Sequence, residues 1–127
     1  MHRHSVFTLH QILPLLEAGR SPIPMLGHRL PVGTKRLAVF KTKGLVCAGC
    51  GAKGSYFALE SHLDHTDPNT LLTPHLNLYT DEGVLMTVDH IVALADGGSK
   101  EMENLQPMCK VCNVRKGSVK GSVKGGQ

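Results

Sequence analysis

Four cysteines carry the clearest chemistry in this chain of 127 residues, and they fall into two pairs. Cys47 and Cys50 form the first pair, and Cys109 and Cys112 form the second. Two Cys-x-x-Cys pairs supply the four thiolates that tetrahedral zinc prefers. Two disulfides or a redox pair are the alternatives, but the first residues do not resemble a secretion signal, and a redox motif would not need a second copy. We therefore predict a structural Zn²⁺ site.

The first pair lies in the glycine-rich run VCAGCGAKG. Gly49, Gly51 and Gly54 are expected to permit tight turns with positive φ that direct backbone amides at the thiolates. A zinc ion shared by both pairs would join the middle of the chain to its C-terminal part. It would also stabilise a domain whose length allows only a small core.

A second group of residues able to do chemistry lies between and just after the cysteine pairs. The runs DHI, GG, NLQPMC and CNVRK resemble the HNH endonucleases. The order His90, Asn104, Asn113 matches the His-Asn-His/Asn signature, and the cysteine pairs match the zinc-bound subgroup. The stretches TKGLVCAGCG, YFALES, HLNLYT and VLMTVDHIV also resemble short HNH proteins of tailed bacteriophages. The resemblance implies a ββα-metal motif, in which a strand hairpin, a loop and a helix surround one divalent ion.

Hydrolysis of a phosphodiester needs a base for water and a cation on the scissile phosphate. The resemblance implies that His90 is this base, since a neutral imidazole accepts a proton near pH 7. It also implies that Asp89 and Asn113 offer oxygen ligands to Mg²⁺ or Mn²⁺, and that Asn104 holds the loop and orients His90.

The spacing of these residues sets conditions on the elements that position them. Neighbouring residues of a regular strand point to opposite faces, so a break or bulge is predicted between Asp89 and His90. On the following helix, Asn113 is about 100° round from Cys112. Lys116, one turn beyond Asn113, is placed to meet a phosphate next to Arg115.

The charge is unevenly distributed along the chain. Residues 1–44 hold seven Lys and Arg with one acidic residue, residues 45–108 hold two with nine, and residues 109–127 hold five with none. Two basic flanks around an acidic centre suit a polyanion beside a cation site, although solvated basic tails are the alternative. The predicted DNA-backbone contacts are Arg36, Lys41, Lys43, Arg115 and Lys116, with the basic tail.

The patterning predicts a small α+β fold, and the resemblance to the HNH endonucleases implies a C-terminal ββα-metal unit within it. An N-terminal helix capped by Ser5 or Thr8 is expected to end at Gly19, with an extended linker at 21–24. A basic helix over 33–43 precedes the first cysteine pair. Strands are expected at 56–60, 75–79 and 84–88, the last two joined by a turn at 81–83, and then a long loop to Pro107 and a helix to Lys116. We expect three parts: an N-terminal helix and linker at 1–32, a zinc-bound nuclease domain at 33–117, and a flexible basic tail at 118–127.

The functional prediction is a metal-dependent DNA endonuclease with Zn²⁺ for structure and Mg²⁺ or Mn²⁺ for catalysis. A zinc-stabilised DNA-binding module without turnover, and a zinc protein that docks other proteins, are the rivals. No apolar run approaches the length of a membrane span, so a cytoplasmic protein is expected, in the host cell if phage-encoded. The sequence leaves a monomer and a homodimer open. The polar residues His62, Asp64, His65 and Asp67 are interpreted as a solvated loop.

Overall fold

The computed structural model describes residues 1–18 and 22–123, with backbone alone for 118–123. Seven strands and three helices make up this part of the chain, which confirms the predicted α+β class. The strands are β1 (His2–Thr8), β2 (Ile23–Met25), β3 (His28–Leu30), β4 (Gly54–Ser61), β5 (His75–Thr80), β6 (Met86–His90) and β7 (Leu105–Cys109). The helices are α1 (Leu9–Ala18), α2 (Lys35–Lys43) and α3 (Lys110–Val123).

The largest sheet has the order β1-β4-β5, and both pairings are antiparallel. Because side chains alternate along a strand, one face carries Phe57 and Leu59, which belong to the hydrophobic core with Phe7 from β1. The opposite face carries Tyr56 and Glu60, together with their neighbours from β1 and β5. The sheet therefore has one face in the core and one polar face.

The first strand was not predicted from the sequence. Residues 2–8 pair with β4, so Ser5 lies within β1 and does not cap a helix. Thr8 is the cap: its Oγ1 accepts from the amide of Gln11 at 3.1 Å, and Gln11 Oε1 accepts from the amide of Thr8 at 2.9 Å. This reciprocal pair is a capping box, which fixes the start of α1. The N-terminal part thus shares a sheet with the predicted nuclease domain.

Residues 23–24 of the predicted linker belong to β2, which forms a small hairpin with β3. Leu26 and Gly27 form its turn with φ of 50° and 81°, as a two-residue turn with both central residues left-handed requires. Gly19 and Ser21 lie outside the described residues. Helix α2 agrees with the prediction, since Thr34 caps its start and Gly44 follows its last residue.

The C-terminal part forms a strand-strand-helix unit of β6, β7 and α3. The predicted turn at 81–83 is present, with the Gly83 amide donating to Thr80 O at 2.9 Å. After a single bridge between Tyr79 and Leu85, however, β6 pairs along its length with β7. The prediction of a loop as far as Pro107 was therefore wrong, because residues 105–109 form this second strand.

Helix α3 continues to Val123, beyond the predicted end at Lys116, and so includes part of the segment predicted as a flexible tail. The last four residues of that segment lie outside the described part of the chain. Within residues 1–18 and 22–123, no helix is both long enough and apolar enough to cross a membrane.

Candidate metal centre and active site

The four cysteines converge on one point, although half the chain separates the two pairs. All four Sγ atoms lie within 4.8 Å of one another, and Cys50 Sγ is 3.8 Å from Cys109 Sγ. A tetrahedral ion with Zn–S bonds of about 2.3 Å places its sulfurs about 3.8 Å apart. Both the donor type and the spacing therefore fit a zinc ion held by Cys47, Cys50, Cys109 and Cys112.

Backbone amides prepare Cys47 to be a thiolate. Its Sγ accepts from the amides of Gly49 at 3.3 Å, Cys50 at 3.4 Å and Cys109 at 3.2 Å. Burial acts to raise the pKa of the Cys47 thiol, but these amides outweigh it and lower the pKa to about 6. The neighbouring sulfurs of Cys109 and Cys50 raise the pKa of Cys112 to about 12. Four thiolates so close together need a cation among them.

The glycines of the first pair act differently from one another. Gly51 has a φ of 81°, as predicted, but Gly49 and Gly54 do not have positive φ. Gly49 is needed for space, since a Cβ there would lie 3.0 Å from both Cβ and Sγ of Cys112. The loop is also tied to β7, because the Ala48 amide donates to Pro107 O at 2.9 Å. The sulfur cluster therefore fixes the strand that pairs with β6.

The predicted break between Asp89 and His90 is absent. Strand β6 stays in regular register through both residues, with Asp89 opposite Gln106 and His90 opposite Leu105. The chain bends only after His90. Thr87 and Asp89 lie on the side of β6 that contacts α3, and the His90 side chain leaves from the other side at the end of the strand.

One carboxylate oxygen of Asp89 is held by two side chains. Its Oδ2 accepts from Gln106 Nε2 at 3.2 Å and forms an ion pair with Lys116 Nζ, which also donates to His90 O at 2.9 Å. Lys116 thus lies against the strand and not at the free position predicted for a phosphate contact. The other oxygen, Oδ1, has no hydrogen-bond partner among the described residues.

Asn113 is oriented in the same way. Its Nδ2 donates to Thr87 Oγ1 at 2.7 Å, and the Thr87 hydroxyl donates to Met108 O at 2.7 Å. The amide oxygen of Asn113 has no partner within the part of the chain that the structure describes. Since Thr87 and Asp89 share one face of β6, the unpaired oxygens of Asp89 and Asn113 belong to the same strand-helix interface. Both are hard ligands of the kind that Mg²⁺ prefers.

Gln106 and Thr87 were not identified from the sequence. Gln106 lies in β7, whose pairing with β6 was not predicted, so nothing placed it opposite Asp89. Thr87 could have been found, because it stands two residues before Asp89 and thus on the same face of the strand.

Asn104 fastens the loop that follows β6. Its Oδ1 accepts from the Val92 amide at 2.8 Å, and its Nδ2 donates to Val92 O at 3.0 Å and to Ser99 O at 2.7 Å. Gly98 lies beneath this loop, where a Cβ would come 1.8 Å from Val92 O. The imidazole of His90 is partly exposed and has no hydrogen bond with any described residue. Hydrogen bonds from Asn104 therefore fix the loop, whereas no hydrogen bond from a described residue fixes the orientation of the His90 ring.

The predicted DNA-contact residues have unlike surroundings. Lys41, Lys43 and Arg115 are exposed. Arg36 is turned toward the polar face of the large sheet, where its Nη2 donates to Asn77 Oδ1 at 2.8 Å.

The loop at 62–67, predicted to be solvated, is exposed at most of its positions. Its Asp64 and Asp67 accept hydrogen bonds from Thr66, Asn69 and Thr70. Among the described residues, the four cysteines are the only group of three or more His, Cys, Asp or Glu side chains whose ligand atoms come together.

Comparison with known proteins finds a family similarity in the C-terminal part. The sequence model of the family described as HNH endonuclease matches residues 78–118, which run from β5 through β6 and β7 into α3. No curated protein and no solved structure matches the chain. Residues 78–118 are therefore similar to the HNH endonucleases, a family of nucleases, over about a third of the chain. Helices α1 and α2 and strands β1 and β4 lie before this segment, and β5 overlaps its start.

Proposed function

We propose that this protein is a metal-dependent DNA endonuclease that hydrolyses phosphodiester bonds with one divalent ion. The observation that carries the proposal is a pair of oxygens, Asp89 Oδ1 and Asn113 Oδ1, that have no hydrogen-bond partner among the described residues and lie at one strand-helix interface, with Asp89 directly before His90 in the chain. Each residue is oriented through its other polar atom, so the free oxygen is available to a cation. We assign Mg²⁺ or Mn²⁺ to this position and Zn²⁺ to the cysteine cluster.

The divalent ion would supply positive charge for the scissile phosphate and the leaving oxygen. The residues of the chain orient the ligands of this ion. Gln106 and Lys116 hold Oδ2 of Asp89, so the carboxylate keeps one orientation when substrate arrives. Thr87 does the same for Asn113, because a bound Nδ2 fixes which way the amide oxygen faces.

His90 is proposed as the general base. It is the last residue of β6, and its ring is partly exposed with no hydrogen bond among the described residues. The side chain would therefore turn round the end of the strand to reach a bound phosphate. Its backbone is fixed, because Lys116 binds its carbonyl and the next amide, of Ile91, donates to Asn104 O at 2.8 Å. Asn104 therefore positions the base through the main chain and the loop.

The zinc cluster is proposed to position the catalytic helix. Cys109 ends β7 and Cys112 lies in the first turn of α3, directly before Asn113. Rigid sulfur ligands at these positions fix where Asn113 and Lys116 meet β6. The exposed Lys41, Lys43 and Arg115 are proposed to attract the DNA backbone.

Relaxation of supercoiled plasmid tests the activity. We expect zinc-loaded protein to nick the plasmid with Mg²⁺ or Mn²⁺, and His90→Ala to lower the rate by about 100-fold or more, as the loss of a general base does. His10→Ala is the matched control, since His10 is exposed and lies outside the HNH segment. Undiminished cleavage by His90→Ala would disprove the assignment of the base.

The same assay decides between the enzyme and its rival, a DNA-binding module without turnover. DNA binding by zinc-loaded protein, with no nicking in either metal, would favour the binding module and reject the proposed reaction.

A further inference from the structure

A polar pocket of about 380 Å³ lies on the polar face of the large sheet, and all of its lining residues are outside the HNH segment. Glu60 of β4 and His75 and Asn77 of β5 form its floor. Thr34 and Arg36, at the start of α2, form one wall. The lining residues are Thr34, Arg36, Glu60, His62, His75 and Asn77.

The guanidinium of Arg36 has no anionic partner among the described residues. Its Nη2 donates only to neutral oxygens, Asn77 Oδ1 at 2.8 Å and Leu76 O at 3.4 Å. Its Nε is buried without a hydrogen-bond partner. A half-buried cation with unused donors is costly unless an anion compensates it.

Glu60 is the nearest candidate for that anion, but its oxygens are already used. Oε1 accepts from Asn77 Nδ2 at 2.8 Å and from the Tyr79 hydroxyl at 2.5 Å, and Oε2 accepts from Arg3 Nε at 2.8 Å. Arg3 neutralises the charge of this carboxylate. The group of Arg3, Glu60 and Arg36 therefore keeps one positive charge, which belongs to Arg36.

The remaining lining supplies donors for an anion. Thr34 Oγ1 accepts from the Leu37 amide at 3.3 Å, so its own hydrogen is available to donate. His62 and His75 are exposed at the rim, and each neutral imidazole carries one N–H. The lining does not suit a metal ion, because its Glu60, His62 and His75 do not bring their ligand atoms together as the four cysteines do.

We propose that this pocket binds a phosphate group of the DNA substrate, away from the bond that is cut. The inference rests on the proposed function for the identity of the anion. The start of α2 is fastened to the nuclease hairpin, since Lys35 Nζ donates to Lys100 O at 2.6 Å in the loop between β6 and β7. A phosphate held by Arg36 would thus lie at a fixed distance from the scissile phosphate. The pocket would therefore fix the position of the DNA backbone relative to the active site.

The salt dependence of DNA binding tests this contact without cleavage. In a His90→Ala background, we expect Arg36→Met to reduce the slope of log affinity against log salt by about 0.9, the value for one phosphate contact. Arg29→Met removes the same charge from an exposed position and is the matched control, expected to leave the slope unchanged. Equal slopes for Arg36→Met and its parent would overturn the inference. Since neither protein needs to cleave, failure of the nuclease proposal would be seen separately in the plasmid assay.

Inorganic phosphate tests the pocket without DNA. We expect the NMR signals of the His62 and His75 rings to shift saturably with phosphate, but not with chloride at equal ionic strength, and not in Arg36→Met. His75→Ala alters only the exposed rim, so it is the second variant if Arg36→Met does not fold, and it should weaken phosphate binding severalfold. No shift in the folded parent protein would reject the pocket as a phosphate site. Saturable shifts without a change in the DNA salt slope would overturn the assignment to DNA.

Discussion

The cysteine cluster and His90 of the proposed catalytic site lie at opposite ends of the β6-β7 strand pair, with Asn113 directly after Cys112, and the two sites are built in opposite ways. At the cysteine end, four sulfurs lie within 4.8 Å of one another, and three amides fix Cys47. In the proposed catalytic site, Asp89 and Asn113 are each fixed through one polar atom. Among the described residues, the other oxygen of each has no partner and the His90 ring has no hydrogen bond. One site is closed and the other is open.

The difference follows from what each site must do. A structural zinc site needs all four ligands from the protein, because no position has to exchange. A catalytic magnesium or manganese site must keep positions for water and phosphate, so the protein supplies few ligands and orients them by hydrogen bonds. We infer that the closed zinc site stabilises the strand pair and helix α3, and that the open catalytic site depends on this stability for its geometry. Variants at the two ends should therefore separate folding from activity.

The largest effect is expected at the closed end. Cys112→Ser removes one of four ligands and should abolish stoichiometric zinc binding. Zinc contributes about 10 to 16 kcal/mol in small zinc domains, whereas whole domains are stable by about 5 to 15 kcal/mol. We expect the variant to be largely unfolded at 25 °C by circular dichroism and to contain little zinc by mass spectrometry.

Val111→Ser is the control for this substitution, because Val111 is 50% exposed on the same helix. It should retain zinc and fold. A Cys112→Ser protein that unfolds at the temperature of its parent would contradict the view of the cluster as the stabilising site.

A variant at the open end should show the reverse pattern. Asp89→Ala is expected to keep its zinc and its fold, while it loses affinity for Mn²⁺ and nicks plasmid at least about 100-fold more slowly. The reason is that Asp89 offers the only anionic oxygen proposed for the catalytic ion. Calorimetric titration with Mn²⁺ measures the binding directly, and Glu103→Gln removes an exposed negative charge as the control. Unchanged Mn²⁺ affinity would exclude Asp89 as a ligand.

The same contrast explains what could be predicted from the sequence. Cys-x-x-Cys pairs and the order His90, Asn104, Asn113 are local patterns, so the candidate metal ligands were identified without knowledge of the fold. Helix α2 was also predicted, because Gly44 and the pattern of apolar residues mark it locally. These features depend on residues that are close in sequence.

Strands β1 and β7 were missed because their partners are not local or their sequences are atypical. Strand β1 is polar over most of its length, and it becomes a strand by pairing with β4, more than forty residues away. Strand β7 contains Pro107, which argues against a strand in general. It is accommodated because β7 pairs with β6 on one side, while Pro107 O on the other side accepts from the Ala48 amide. The contact of Gln106 with Asp89 could not be found without this strand.

A smaller effect is expected from Asn104→Ala, which removes three hydrogen bonds from the loop after β6. A net loss of about 1 kcal/mol per bond is offset in part by solvent at this exposed loop. We expect hydrogen exchange at the Val92 amide to become about tenfold faster or more, and nicking to slow while zinc stays bound. Asn69→Ala is the control, since no side-chain hydrogen bond of Asn69 is present among the described residues. Unchanged exchange at Val92 would show that Asn104 does not hold the loop.

The smallest effect is expected from Gln106→Leu, which leaves Asp89 in place but removes one of the two donors to its Oδ2. Residues that orient a metal ligand typically change metal affinity by about 10- to 100-fold, and the lower end is expected here because Lys116 still holds the same oxygen. In the Asp89→Ala background the same substitution should have no further effect, since the oriented group is gone. Mn²⁺ titrations of the parent protein, the two single variants and the double variant form a double-mutant cycle that measures this coupling. If Gln106→Leu weakened Mn²⁺ binding equally with and without Asp89, Gln106 would act on the ion by another route, and the open site would not be oriented in the way that its hydrogen bonds indicate.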